Sequence, residues 1–533
     1  MNPAESDYDV VLLGTSIASS ITAAALSNAG YKVLHLDLNG YYGSHSASLT
    51  LKDLLDWANH APSIYKSPYA SLTYHFPSSS DPSVAPIDLL SASRNYSLSL
   101  SPALIPSTGE LVGALVQSGV SRYSGFRLLQ GLGLYAPDNS SDTPIRLVPA
   151  TKEDVFKDKD MSLVAKRKLM KFLQFATGKF EESEDVQNQG QTAIRAYLQE
   201  VYSLSPTASQ AIIYATAHSA SDEEPLEKAL HRLRKYTRSA GRYGNSPFLI
   251  GHYGGLGELA QGFCRSCAVH GGTYILGRPI KSIVSTSTEE ARPKFEIEIE
   301  GISQVFNATS VILSQHHPRF SIQGTSNMDG PSFRCIAIVD GPISFPASDE
   351  SSGPDNVIDT SVIIFPPRSL GELGKLKNSV TAMVTGEGTS SFWPMSADVI
   401  YLGSLLDDGD EDHDAERLLR PYLDALLNLP SPTQPSSPKL IFELFYDEKI
   451  AASSSSTNPL RGVFMINDAP PAVATFSEVG DASAIEAQRV FWEVSKFLSP
   501  PAGEEGEEVN AGPSSFWPPL DPEELDREVG ENW

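Results

Sequence analysis

The sequence predicts an α/β fold built on several sheets, with a smaller all-helical domain inserted into it. Three observations carry that prediction. A strand–turn–helix–strand unit opens the chain, residues 153–240 read as helical throughout, and a mixed strand and helix pattern returns after them. A chain of 533 residues is expected to form two or three packed domains. Its 41% apolar and 20% charged residues are enough to bury a sizeable core.

Residues 8–13, Tyr-Asp-Val-Val-Leu-Leu, are a continuous apolar run and read as a buried strand. Gly14 to Ser16 make a turn, residues 17–29 are Ala-rich and helical, and Gly30 ends that helix. Residues 32–37 read as a second strand closing on Asp37. Such a unit is the front edge of an FAD/NAD(P)-binding-like fold. Residues 72–85 are polar and read as a loop, and a helix is expected at 109–119. In the helical block, Ser162 is placed to cap a helix over 162–176, and segments 191–202, 206–219 and 225–240 continue the pattern. Strands are expected near 273–284, 294–300, 305–313, 361–366 and 380–385, and a last helix over 483–498. The stretches 346–358, Asp407 to Glu416, 430–438 and Ser453 to Ser456 read as surface loops. The expected organisation is therefore a discontinuous α/β domain (1–152 and 241–500), a helical domain (153–240) and an acidic tail (501–533). That tail carries ten acids against Arg527 and reads as disordered.

Charge narrows the function. Forty Lys and Arg against 65 Asp and Glu give a net charge of −25, which repels phosphate backbones and speaks against general nucleic-acid binding. Three cysteines exclude a disulfide framework, and Cys264 and Cys267 read as small side chains on a packed helix. No apolar run approaches a membrane span, and no signal-type stretch opens the sequence, so a cytoplasmic protein is expected.

The turn Gly14-Thr15-Ser16-Ile17-Ala18-Ser19 has the frame of the dinucleotide fingerprint but keeps only its first glycine. Ser16 and Ser19 stand where glycines admit a pyrophosphate and pack helix on strand, while Asp37 keeps the place of the ribose-binding acid. A scaffold that has lost its cofactor is the expectation, and a flavin-dependent oxidoreductase the remote alternative. No Gly-x-Ser-x-Gly elbow, complete phosphate-binding loop or His-Glu-x-x-His occurs, and His316-His317 has no carboxylate at ligand spacing. With no catalytic, metal or cofactor set, a binding protein is expected. From Lys228 to Arg242 there are six basic residues and no acid. Lys228, Arg232, Lys235, Arg238 and Arg242 fall near one helical face, which reads as a docking stripe for an acidic partner.

Four stretches together are specific: residues 8–50 with Tyr41-Tyr42-Gly43, residues 118–128, residues 246–280 with Gly255-Leu256-Gly257-Glu258-Leu259, and the late apolar strands. In these the chain resembles the Rab escort protein and Rab GDP-dissociation-inhibitor (GDI) superfamily, whose fold is similar to that of FAD-dependent oxidases but which uses no flavin. Residues 154–176 and 241–249 look more like the escort branch. The resemblance implies a non-catalytic accessory subunit that binds GDP-bound Rab GTPases and presents them to the geranylgeranyltransferase α/β heterodimer. It then shields the geranylgeranyl lipid and delivers the Rab to a membrane. A recycling GDP-dissociation inhibitor is the alternative. Carried over motif by motif, the resemblance assigns Rab binding to Tyr42, Glu258, Arg265 and Ile275. Prenyltransferase docking is expected at Tyr236 and Arg242, and lipid shielding at Leu169, Phe172 and Leu173. Two departures mark the platform motif: the additional Gly254, and Ala260 where proline is usual.

Overall fold

A computed structural model describes residues 6–63, 67–137, 143–149, 161–286, 293–314, 328–346, 358–386, 397–406, 414–430, 436–451, 460–467, 476–499 and 512–518. The opening unit forms as the sequence predicts. Strand Asp7–Leu13 lies between Val33–Asp37 and Val305–Ser314, parallel to both, with Val10 opposite Val33 and Ser310. Thr273–Leu276 and Val463–Ile466 extend this sheet in parallel, and Phe295–Ile299 and Ile280–Ser285 extend it antiparallel, to seven strands. The expected strand region 273–284 is thus two strands, divided at Gly277.

Helix Ile17–Asn28 is buried on almost every side, which its Ala and Ser content permits. It packs against helices Gly257–Val269 and Val479–Leu498. Its buried hydroxyls bond back to the helix, Thr22 to the Ala18 carbonyl at 2.9 Å and Ser27 to that of Ala24 at 3.1 Å.

A second sheet has eight strands, in the order Tyr69–His75, Leu440–Ala451, Met328–Val339, Asp398–Leu405, Val380–Thr385, Thr360–Phe365, Gly131–Tyr135 and Ile145–Leu147. Two expectations change here. The polar stretch expected as a loop from residue 72 begins inside edge strand Tyr69–His75, which pairs with Leu440–Ala451. Its alternating polar residues suit an edge that faces solvent on one side. The acidic run read as a loop ends in helix Ala415–Leu427, capped by Asp414, whose side chain accepts from the Arg417 amide at 3.2 Å. That helix buries Leu418, Leu419, Tyr422, Leu423 and Leu426 against one sheet face; Pro421 within it disguises the pattern.

The other face of this sheet packs on the helical block, and their apolar residues form one continuous core. The block holds helices Leu163–Thr177, Glu184–Gln189, Ile194–Glu200, Pro206–Gln210 and Leu226–Ser239. Ser162 caps the first, accepting from the Ala165 amide at 3.2 Å. Segment 206–219 is not one α-helix: it continues as a π turn, Ala211–Thr216, and ends at His218 with φ 48°. The tail expected to be disordered throughout contains an ordered piece at 512–518, where Trp517 is 5% exposed. Aromatic side chains supply there the apolar area that the surrounding acids lack. Among the described residues no helix is long and apolar enough to cross a membrane.

Candidate functional site

The dinucleotide crevice is committed to the chain's own groups. Asp37 Oδ2 accepts from the Thr15 amide (2.8 Å), Thr15 Oγ1 (2.5 Å) and Ser44 Oγ (2.6 Å). Its Oδ1 accepts from the Asn39 amide (2.8 Å) and Nδ2 (3.0 Å). An acid so saturated has no capacity left for a ribose. His35 closes the floor, with Nε2 2.6 Å from the Gly14 carbonyl and Nδ1 3.2 Å from Tyr274 Oη. Burial pushes its pKa down to about 4, so the ring is neutral, donating from Nε2 and accepting at Nδ1. The Ser16 side chain accepts from the Ser19 amide at 3.3 Å, where a pyrophosphate would need bare backbone. These residues do not fit a dinucleotide.

An open cleft of about 370 Å³ lies beside that floor, lined by Tyr42, Tyr123, Glu258, Gln261, Arg265 and Tyr274 among others. Helix Gly257–Val269 is its wall. The chain enters this helix through Tyr253 and Gly254, both left-handed at φ 64° and 74°, so the additional glycine of the motif occupies a position that needs it. A Cβ on Gly257 would stand 2.4 Å from the Ser48 amide nitrogen, so glycine lets the helix start against residues 47–48. The Ala260 amide donates to the Leu256 carbonyl at 2.9 Å, a bond the usual proline could not make.

Glu258 sits in the first helical turn, where the helix dipole favours a carboxylate. Burial nevertheless raises its pKa, and its Oε2 is buried without a hydrogen-bond partner. Arg265, two turns on, is exposed and lies with its guanidinium carbon 5.0 Å from the Tyr123 ring centre. Tyr123 is itself fixed by donating to the Gly262 carbonyl at 2.9 Å. Among the described residues Arg265 has no ion pair. Tyr42 meets Tyr274 edge-on, with ring centres 5.8 Å apart. The cleft therefore holds a carboxylate with one buried, unbonded oxygen, an exposed guanidinium that lies over Tyr123 without an ion pair among the described residues, and aromatic area, the residue types that make charge-assisted hydrogen bonds and hot-spot contacts with another protein.

Three of the four residues expected to bind Rab thus come together. Ile275 does not: it turns to the opposite sheet face and packs with Val11, Leu34 and Leu36. Its neighbour Tyr274 lines the cleft instead. Strand alternation places residues 274 and 275 on opposite faces, and that signal could have separated them. Tyr123 and Gln261 also line the cleft; both lie in stretches that carried the resemblance, which assigned them no role.

The basic helix departs further from expectation. Arg232 pairs with Glu224 and Glu478 and donates to the Ala217 carbonyl at 2.6 Å. Arg234 holds Glu181 in a bidentate pair (2.7 and 2.6 Å), and Lys235 bridges Glu110 (3.0 Å) and Asp481 (2.7 Å). Arg232 and Lys235 of the stripe thus fasten the helix to the chain's own carboxylates, while Lys228, Arg238 and Arg242 remain exposed. Tyr236 is 5% exposed and packs edge-on against Phe248, so it cannot anchor a partner as expected. Arg242 is exposed, beside the exposed Tyr243. Leu169 and Phe172 are buried, Leu173 is partly so, and Phe172 meets Tyr202 edge-on at 5.1 Å, all as core contacts. Cys264 and Cys267 are buried free thiols, and burial pushes the first up to about 12, well outside nucleophilic range. Among the described residues no group of three or more His, Cys, Asp and Glu could hold a metal ion. The His316-His317 pair lies outside them.

A family profile described as GDP dissociation inhibitor matches residues 4–362. The chain is 30% identical over 403 residues to the Rab proteins geranylgeranyltransferase component A of Saccharomyces cerevisiae, covering 74% of this chain and 61% of that protein. To the component A of Candida albicans it is 33% identical over 268 residues, 50% of this chain and 40% of the other. To the Rab GDP dissociation inhibitor beta of Rattus norvegicus it is 31% identical over 306 residues, 56% of this chain and 62% of the other. The chain thus spans 40% to 62% of the length of these relatives. The crystal structure of a Rab GDI from Plasmodium falciparum aligns over 92% of this chain and 98% of that one, with a TM-score of 0.65 at 20% identity. An oxidoreductase from Methanosarcina mazei aligns over 91% and 100%, with a TM-score of 0.57 at 13% identity, so the fold is shared with that class too. With a profile matched over more than half its length, the chain belongs to the GDP dissociation inhibitor family.

Proposed function

We propose that this protein is a Rab escort protein. It binds newly made GDP-bound Rab GTPases, presents them to the geranylgeranyltransferase catalytic heterodimer, and delivers the prenylated Rab from the cytoplasm to membranes, itself catalysing nothing. The observation that carries this reading is the convergence of Tyr42, Glu258 and Arg265 on one cleft, where Glu258 Oε2 has no hydrogen-bond partner and Arg265 no ion pair among the described residues. The relatives named as component A support it, and residues 154–176 and 241–249 favour the escort branch over the recycling one.

In this reading Glu258 accepts from a backbone amide or hydroxyl of the GTPase, Arg265 donates to a carbonyl or carboxylate, and the Tyr42–Tyr274 pair supplies rigid apolar area. The lipid is held by the helical block. At about 0.8 kcal/mol per buried CH₂, even partial burial of a twenty-carbon chain outweighs any single polar contact. Leu169 and Phe172 are core residues, so the block must part to admit lipid; the π turn Ala211–Thr216 is its least regular backbone. The exposed Arg242–Tyr243 corner takes the docking role for the heterodimer that Tyr236 cannot.

The test is geranylgeranylation of a GDP-loaded Rab by the catalytic heterodimer, with and without this protein. Strict dependence on the added chain is the expected result. Extraction of prenylated Rab from membranes without any stimulation of prenylation would assign the chain to the recycling inhibitors instead.

A further inference from the structure

The acidic tail contains one apolar island, Phe516-Trp517, and the protein has a groove that fits it. Phe516 meets Phe491 edge-on with ring centres 5.1 Å apart, and Trp517 stacks on Phe263 at 6.1 Å and 25°. The two tail rings pack on each other at 4.9 Å, and Ser515 Oγ donates to the Trp517 carbonyl at 2.7 Å, which bends the segment into the groove. Phe263 belongs to helix Gly257–Val269, which carries Glu258 and Arg265; Phe491 belongs to the last helix, Val479–Leu498. Both are fully buried with the tail in place. Without it, two phenyl rings of the core would lose their cover.

We infer that the groove between these two helices is a binding site for an aromatic peptide segment, that residues 512–518 are its resident ligand in cis, and that their docking braces the helix that forms the cleft. Three features support an exchangeable ligand over a fixed part of the core. In sequence the segment stands between acids, Glu504 to Glu508 before it and Asp521 to Glu528 after it, so the two rings are its apolar anchors. The indole Nε1 of Trp517 is buried without a hydrogen-bond partner, so no polar contact locks the ring in place. The chain leaves the last helix at Ser499 and has returned to it by Gly512, where a Cβ would stand 2.5 Å from Ser499 Oγ, so the tail is tethered close to its site.

The tether sets a scale. A short flexible link gives an effective concentration on the order of 1 mM, so a segment docked about nine-tenths of the time needs an intrinsic Kd below about 100 µM. A synthetic peptide of residues 512–518 should therefore bind the chain truncated after Ala511 with a Kd below about 100 µM, and bind the full chain at least tenfold more weakly, as read by calorimetry. The same peptide with both aromatics replaced by alanine should bind neither. Hydrogen exchange gives the second arm, on the full chain carrying Trp517→Ala. Amides of residues 257–269 should exchange about tenfold faster than in the unaltered chain, while those of the sheet strand Val33–Asp37 keep their rate. Neither arm involves a GTPase, so each stands whether or not the escort reading holds. A peptide Kd above about 100 µM would overturn the site. Unchanged exchange over 257–269 would overturn the brace. If the truncated chain aggregates, the peptide is titrated against full-length Trp517→Ala, where the same limits apply.

Discussion

Glu258 and Arg265 stand on helix Gly257–Val269, where among the described residues Glu258 Oε2 has no hydrogen bond and Arg265 no ion pair. Arg232, Arg234 and Lys235 stand on helix Leu226–Ser239 with carboxylates of Glu224, Glu478, Glu181, Glu110 and Asp481 drawn up to them. By charge alone the second helix is the stronger docking candidate: five Lys and Arg, with Arg242 just past its end, in a chain of net charge −25. The structure reverses that order. What marks a docking surface is a polar group whose partner is missing, and density of charge does not report that. Through Arg232 and Lys235 the basic helix fastens the helical block to the two helices that begin near Glu110 and Glu478.

The largest consequence falls on the fastener. Arg232→Ala strands two carboxylates in a largely buried site, and breaking a buried pair from one side costs about 3–5 kcal/mol. Urea unfolding should show that loss, with Rab affinity of the still-folded protein within twofold of the original. A loss below about 1 kcal/mol would show that solvent screens the pair and that the two helices differ less than their contacts indicate. Arg265→Ala should do the opposite. On the escort reading, loss of this exposed cation should weaken Rab binding tenfold or more, about 1.4 kcal/mol, and leave the unfolding midpoint unmoved. Surface plasmon resonance against GDP-loaded Rab, run beside thermal unfolding, separates the two outcomes.

A smaller effect sharpens the boundary of the cleft. Ile275→Val removes one methylene from the sheet face that packs on Val11 and Leu34, so stability should fall by about 0.5–1.5 kcal/mol. Rab affinity should stay unchanged, since the strand turns Tyr274 and not Ile275 into the cleft. An affinity loss greater than the stability loss would return Ile275 to the platform.

Local chemistry made much of this legible. The opening β–α–β unit, the Ser162 cap and the last helix follow from patterns within about fifteen residues, where hydrophobic period and capping chemistry decide the outcome. Tyr42, Glu258 and Arg265 came from motif resemblance and meet in space. What could not be read were pairings across sequence: Lys235 with Asp481, Arg234 with Glu181, and Trp517 with Phe263 are each set by tertiary packing that no local window contains. Helix Ala415–Leu427 was hidden by Pro421 and an acidic approach, although its buried leucines keep helical spacing. Tyr236 was misplaced for a related reason. An amphipathic pattern puts a tyrosine on either face, and only the position of Phe248 shows that this one is core.

The smallest effect is a pH signature that opposes the two helices directly. Burial raises the Glu258 pKa above its ordinary value, whereas the Arg234 guanidinium holds Glu181 down to about 2. Linkage gives these shifts opposite signs. For Glu258, with the folded pKa raised, the stability contribution is full below the unfolded pKa and is lost as pH rises through the folded pKa, so at neutral pH the carboxylate weakens the fold. For Glu181, with the folded pKa depressed, the contribution is present above the unfolded pKa near 4.5 and is lost as pH falls toward 2. Glu258→Gln should therefore raise stability at pH 7 by a few tenths of a kcal/mol, since the group is half exposed and solvent screens it, and should leave stability at pH 4 nearly unchanged. Glu181→Gln should lower the unfolding temperature at pH 7, and the deficit should shrink steadily below pH 4.5. Thermal unfolding of both variants between pH 3 and 7 reads the two slopes. Should Glu258→Gln destabilise at pH 7, its carboxylate would have a partner within the chain, and the contrast between an uncommitted and a committed helix would fail at the residue on which it depends.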